Sequence, residues 1–144
     1  MSFFDSIDIA ASGLTAERVR MDVTAENLAN ADTTQGANGQ PYQRQEVVLA
    51  QAGGFGATLQ AAMGNASTPG GVEVAGVVSD PTPDQEVYDP GNPAANSQGY
   101  VKMPNVNTVE EMTDMIDESR SYDADVTAMT TSKSMYTATL QLLK

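Results

Sequence analysis

The chain has no cysteine and no histidine among its 144 residues. The first absence removes disulfides and thiolate metal sites, and the second removes imidazole ligands and imidazole general bases. Carboxylates, Ser/Thr, Tyr and Lys are the groups left for catalysis. Basic residues are scarce as well: seven Lys and Arg stand against 19 Asp and Glu, for a formal net charge of −12. Such a chain is repelled by nucleic acid and by anionic membrane surfaces, so its expected partners are proteins with basic patches. No run of 18 apolar residues occurs, nor a basic N-terminus followed by an apolar core, so neither a membrane span nor a cleaved secretory signal is expected. Aromatic residues make up 6% against 40% hydrophobic content, which predicts one modest domain with a thin core. The missing thiol also suits an oxidising space, where a stray cysteine would cross-link.

What the chain does have is helical periodicity at both ends. Near the C-terminus, Met112, Met115, Ser119, Tyr122, Val126, Met129, Lys133, Tyr136, Leu140 and Leu143 alternate steps of three and four. That 3.5-residue repeat predicts a helix packed along its length against other helices. Thr108 followed three residues later by Glu111 reads as a capping box that starts it. Glu110, Glu111 and Asp114 in the first turn, with Lys144 at the end, complement the helix dipole. A helix from Thr108 to Lys144 extends about 55 Å, more than so small a domain covers alone, so it needs a partner along most of its length. Its seven acidic residues, Glu110, Glu111, Asp114, Asp117, Glu118, Asp123 and Asp125, all lie off the stripe. Lys133 is the single full charge on it, placed to fix register or to pair with a partner's carboxylate.

From Asp5 to Asn30 the chain has no proline and one glycine, and Ile7, Leu14, Met21 and Leu28 recur every seven residues, with Ala11 and Ala25 between them. This predicts a second, narrower helical stripe that lets a neighbour approach closely. Arg18 fills the remaining slot, its stem on apolar surface and its guanidinium in reach of a carboxylate. Between the two ends, Gly53 to Pro104 holds nine of the twelve glycines and six of the seven prolines, which excludes long helices there. Arg44–Leu49 and Val72–Val78 read as strands, Ala57–Met63 as one or two helical turns, and the Pro81 to Pro93 tract as turns joined by extended chain.

No motif carries chemistry on its own. Asp123 and Asp125, two apart on a helix, point in different directions and cannot converge on one substrate; a solvated face is the expectation. Asp80, Asp84 and Asp89 lack the spacing of a calcium loop and read as loop polarity. Gly53-Gly54-Phe55-Gly56 lacks the strand and long helix of a phosphate loop and reads as a hinge. Met103, Met112, Met115 and Met129 suit packing against irregular surfaces. No cofactor and no metal is expected.

Longer motifs are specific. Ser12-Gly13-Leu14 followed by Asn27-Leu28-Ala29-Asn30-Ala31-Asp32-Thr33-Thr34 resembles the N-terminal signature of the bacterial flagellar rod and hook proteins. Tyr88-Asp89-Pro90-Gly91-Asn92-Pro93, Gly99-Tyr100-Val101-Lys102-Met103-Pro104-Asn105-Val106, Glu110-Glu111-Met112, Ser119-Arg120-Ser121-Tyr122 and Lys133-Ser134-Met135-Tyr136 narrow the likeness to the basal-body rod members of that family. It covers both ends and most of the middle, departing around Gly53 to Gly70. The resemblance implies a structural subunit of the proximal rod, the shaft that carries torque across the periplasm. It implies that the terminal helices pair into an inner coiled coil, and that the protein is exported unfolded by the flagellar type III apparatus without a cleaved signal. Implied partners are other rod proteins, copies of itself, the base adaptor or export gate below, and the surrounding ring.

The expected architecture is mainly α with a small β subdomain: residues 1–35 and 105–144 as a discontinuous helical pair, and 36–104 as a strand- and turn-rich middle containing a Gly/Pro-rich hairpin. The expected assembly interface is Ile7, Leu14, Met21 and Leu28 with Met112, Met115, Tyr122, Val126, Met129, Lys133, Tyr136, Leu140 and Leu143. Two other readings are a secreted coiled-coil adaptor that forms a stable oligomer in isolation and a carboxylate hydrolase that cuts the cell wall.

Overall fold

The computed structural model describes residues 3–36, 38–53, 62–63 and 70–142. Two helices dominate it, α1 at Phe3–Ala29 and α2 at Thr108–Leu142. Between them come strands β1 at Gln45–Gln51, β2 at Val72–Ser79, β3 at Gln85–Tyr88 and β4 at Tyr100–Met103. The chain is thus mainly helical with a small β part, as the placement of its glycines and prolines predicts.

The strands form two separate antiparallel pairs, β1 with β2 and β3 with β4. The first pair coincides with the two strands expected from β-branched runs. Its register shifts between Val48 and Leu49, leaving Ala75 without an opposite residue, so the ribbon carries a bulge there. The second pair lies in the tract read as turns and extended chain. Short strands at Gln85 and Tyr100 escape a periodicity search because four residues give only two alternations. The Ala57–Met63 turns and the glycine hinge fall largely outside the described residues.

Helix α1 ends where Asn30 turns back, its backbone N–H bonding to the Glu26 and Asn27 carbonyls and its side chain donating to Glu26 O at 2.9 Å. Helix α2 starts at the predicted residue, but not by the predicted device. Asn107 is the cap: its Oδ1 accepts the Val109 N–H at 3.1 Å. The Glu111 carboxylate does not fold back onto the first turn, because Arg44 and Asn27 hold it elsewhere.

The two helices run antiparallel, and β1 and β2 lie along α1. Close approach at the far end of the ribbon requires a glycine. A Cβ on Gly71 would stand 1.9 Å from Ser12 Oγ and 2.8 Å from Ser12 Cβ, in the place where Ser12 accepts the Val72 N–H at 3.0 Å. Replacing Gly71 by Val is therefore expected to lift the ribbon off α1 and lower unfolding stability by about 1–3 kcal/mol, measured by urea titration.

Apolar burial is sparse. Among the described residues the buried apolar side chains are Ala16, Ala31, Val101, Pro104 and Val106. Each valine contributes about 1.5–3 kcal/mol and each alanine less, so burial alone holds the helices weakly.

Candidate assembly interface

The contacts between α1 and α2 recur every seven residues on both helices. Asn27 donates to Glu111 Oε2 at 3.0 Å. Arg20 Nε stands 3.4 Å from Glu118 Oε1. Gly13 is so close to Asp125 that an added Cβ would lie 2.6 Å from Asp125 Oδ2. Ser6 and Ser132 line the same crevice, with Ile9, Ala10 and Ala128. The seam therefore runs through Ser6, Gly13, Arg20 and Asn27 against Glu111, Glu118, Asp125 and Ser132, and it is made of small and polar side chains.

At one end of the seam a polar hub joins both helices to β1. Asn27, 1% exposed, uses all its hydrogen-bonding groups there. Its Nδ2 donates to Gln45 O at 2.9 Å and to Glu111, while its Oδ1 accepts the Gln45 N–H and the Tyr42 hydroxyl, both at 2.9 Å. The amide thus bonds both backbone groups of Gln45, as a neighbouring strand would. Burial, with the Glu26 and Glu111 charges, pushes the Tyr42 phenol up to about 12. It stays protonated and a donor.

Arg44 is the cation of the hub. Its Nε meets Glu111 Oε1 at 2.5 Å, its Nη1 meets Glu46 and lies 3.8 Å from Asp80, and its Nη2 lies 3.6 Å from Asp114. Burial opposes its charge, but the bond to Glu111 outweighs that and raises its pKa. Asn105 locks the loop before α2 onto the same place, accepting the Arg44 N–H at 2.8 Å and donating to the Asp80 and Thr82 carbonyls. Asp80 itself accepts the Thr82 N–H and hydroxyl, bonds that pull its carboxyl below the usual range.

Glu118 is the other buried carboxylate, 4% exposed. Its Oε1 accepts from Thr24 at 3.2 Å, and its Oε2 has no hydrogen-bond donor among the described residues. Burial raises its pKa above the ordinary 4.5, against the Thr24 bond and the Arg20 charge, which lower it. A carboxyl raised on folding favours the folded state in its protonated form. That contribution is complete below the ordinary value and is lost as pH rises through the folded one. Glu118→Gln is accordingly expected to melt at a higher temperature than the parent at pH 7, with the difference closing near pH 4. Calorimetry across that range checks it.

The apolar stripes sit beside this seam. Ile7, Leu14, Met21 and Leu28 each follow a seam residue by one position, about 100° around α1, and are half-buried. On α2, Met115, Tyr122 and Met129 are half-buried at the seam's edge, while Ser119 and Lys133 are exposed. Met112 at 55%, Val126 at 37%, Tyr136 at 37% and Leu140 at 46% exposure are left open to solvent, as are Val109 and Ile116. Leu143 lies outside the described residues. Arg18 is exposed, and Arg20 is the residue that reaches across to a carboxylate.

The seven acidic residues of α2 lie off the apolar stripe as expected, and Asp123 is exposed, but Asp125 departs from the solvated face expected of it. Glu111 and Glu118 are buried and Asp125 is half-buried against Gly13, so three of the seven are in the seam rather than on a solvated face. Their seven-residue spacing was readable. An apolar-stripe search passes over it because carboxylates are normally scored as solvent-facing. Arg44 and Tyr42 carried no periodic signal at all, being single residues in the linker.

The comparisons with known proteins follow the same two helices. The family model described as "Flagella basal body rod protein" matches residues 7–38, and "Flagellar basal body rod FlgEFG protein C-terminal" matches residues 97–142. A flagellar basal-body rod protein FlgC of Escherichia coli O6:H1 is 47% identical over 142 residues, covering 99% of this chain and 98% of its own. The FlgC of Bacillus subtilis strain 168 is 43% identical over 150 residues, covering all of both chains. That of Borreliella burgdorferi is 40% identical over 152 residues, covering 100% of this chain and 99% of its own. With Asn27, Asn105 and Glu111 converging on one hub, and likeness of 40–47% running end to end, the chain belongs to the flagellar basal-body rod protein FlgC family.

Proposed function

We propose that this chain is a structural subunit of the flagellar rod, working in cell motility by assembly and not by catalysis. The observation that carries the reading is the division of labour on α2. A polar seam closes the protomer, and an apolar row one residue away stays uncovered. A surface of Val109, Met112, Ile116, Val126 and Leu140 exposed along one helix suits burial against neighbouring helices. A secreted adaptor that dimerises in isolation uses the same row, but full-length likeness to rod proteins favours the shaft.

In this reading, residues 1–35 and 105–144 form the axial part, with the α1–α2 pair acting as a coiled coil whose seven-residue seam supports it. Residues 36–104 form the smaller outer part. Ile7, Leu14, Met21 and Leu28 with Met112, Met115, Tyr122, Val126, Met129, Lys133, Tyr136, Leu140 and Leu143 make up the packing surface. Its neighbours are other rod proteins and copies of this chain, the base adaptor or export gate, and the surrounding ring. The rod site is the basal body, spanning the periplasm after type III export. Among the described residues, no helix is long and apolar enough to cross a membrane.

A deletion strain complemented with the tagged chain tests the reading. The expected result is restored swimming with the tag in isolated basal bodies; a tag confined to the medium would support the adaptor instead.

A further inference from the structure

A crevice of about 420 Å³ opens between α1, α2 and the far end of the β1–β2 ribbon. Its walls are aliphatic: Ile9 from α1, Ala128 from α2, and Leu49 and Val72 from the ribbon. The two ribbon side chains are 37% and 38% exposed, so they form a lip that the protomer leaves uncovered. Two polar groups of α2, Asp125 and Ser132, line the same space. Neither makes a hydrogen bond or an ion pair among the described residues. Glu17, the other acidic residue of the wall, is already bound to Arg20. Asp125 differs from Glu118 in access. Glu118 Oε2 is sealed within the protein, whereas the half-buried Asp125 carboxylate still reaches solvent.

Among the described residues no cation of the chain meets Asp125. Arg20 is held by Glu17 and Glu118, and Lys133 is exposed about 12 Å further along the same helix. What fits the crevice is a group that is apolar along its length and cationic at its tip. A lysine side chain has that form. Its carbon stem suits the aliphatic walls, and its ammonium can turn its donors toward a carboxylate and a hydroxyl on separate helical turns. The planar fork of a guanidinium is matched instead to one carboxylate gripped by both oxygens.

We propose that this crevice is the docking point for a lysine of a basic neighbouring protein, its stem along Ile9, Leu49, Val72 and Ala128 and its ammonium on Asp125. The inference rests on the assembly reading and names the kind of neighbour. Charge selects it. This chain carries seven Lys and Arg against 19 Asp and Glu, so a second copy brings more repulsion than cation, and a protein with a basic surface brings the reverse. While it faces water, the Asp125 carboxylate needs no partner in the isolated protomer. Once a neighbour covers the crevice that water is gone, and an uncharged side chain in its place would leave the carboxylate buried and unpaired.

Carbodiimide applied to basal bodies isolated from cells making this chain tests the pairing, since the reagent joins a carboxylate to an amine only in contact. The expected product, located by fragment mass spectra after proteolysis, is an isopeptide between Asp125 and a lysine of a different protein. Chain present in the basal bodies with Asp125 uncoupled, or coupled to a lysine of a second copy, overturns the proposal and leaves the rod reading standing. Chain absent from the basal bodies overturns both. In parallel, Asp125→Asn should lower incorporation about tenfold without lowering the melting temperature of the protomer, because Asp125 holds no bond within it. Unchanged incorporation contradicts the pairing. A lower melting temperature would show that Asp125 serves the protomer, and overturns it as well.

Discussion

Arg44→Met should lower the unfolding free energy of the protomer by about 3–5 kcal/mol, the range seen when one partner of a buried ion pair is removed. Arg44 is 19% exposed and its main partner Glu111 is 1% exposed, so the Glu111 carboxylate is left without a cation and cannot turn to water. Glu46, Asp80 and Asp114 then crowd the same space with like charge. Arg44→Lys is expected to recover less than half of the loss, because one ammonium cannot donate to Glu111, Glu46 and Asp114 from three nitrogens in a fixed plane. Urea unfolding followed by circular dichroism measures both. A loss under 1 kcal/mol for Arg44→Met would show that the hub is a surface ion network with no structural weight.

The second large effect falls on assembly alone. Val126→Asp and Leu140→Asp are expected to leave protomer melting within about 0.5 kcal/mol of the parent, since both side chains already meet solvent. Buried against a neighbour, each carboxylate costs several kcal/mol, a loss of more than about a hundredfold in incorporation. Tyr122→Asp and Met129→Asp form the contrast. These residues are half-buried beside the seam, so they should destabilise the protomer as well as block assembly. Basal-body content and swimming report assembly, and calorimetry reports the protomer. Normal swimming with both exposed-row variants would remove the packing argument.

Much of this was legible from residues alone. The two helices, the start of α2 at Thr108 and the β1 and β2 strands follow from periodicity and from where glycine and proline fall. The seam was not legible, for a physical reason. Periodicity searches equate the helix–helix contact with the apolar stripe, whereas here the close contact runs through Gly13, Asn27, Glu111, Glu118 and Asp125, one position before that stripe. Small and polar residues can form such a seam when their hydrogen bonds are met across it, as Asn27 shows. The apolar row is then spared for other molecules. The Asn27 and Asn105 motifs marked the hub by likeness, but Arg44 and Tyr42, which complete it, come from the linker and are placed only by the folded chain. The Thr108–Glu111 cap failed for the same reason: Glu111 is claimed by a long-range partner stronger than its own first turn.

The central claim is that the row beside the seam is open in the protomer and covered in the shaft. Met112, 55% exposed, stands in that row and reports on it directly through oxidation to the sulfoxide. Dilute peroxide applied to the purified protomer and to isolated basal bodies, with Met112 oxidation followed by mass spectrometry, compares the two states. At least about tenfold slower oxidation in basal bodies is the predicted result. Equal rates in the two would contradict the account, because the row would then be as exposed in the rod as it is in the isolated chain.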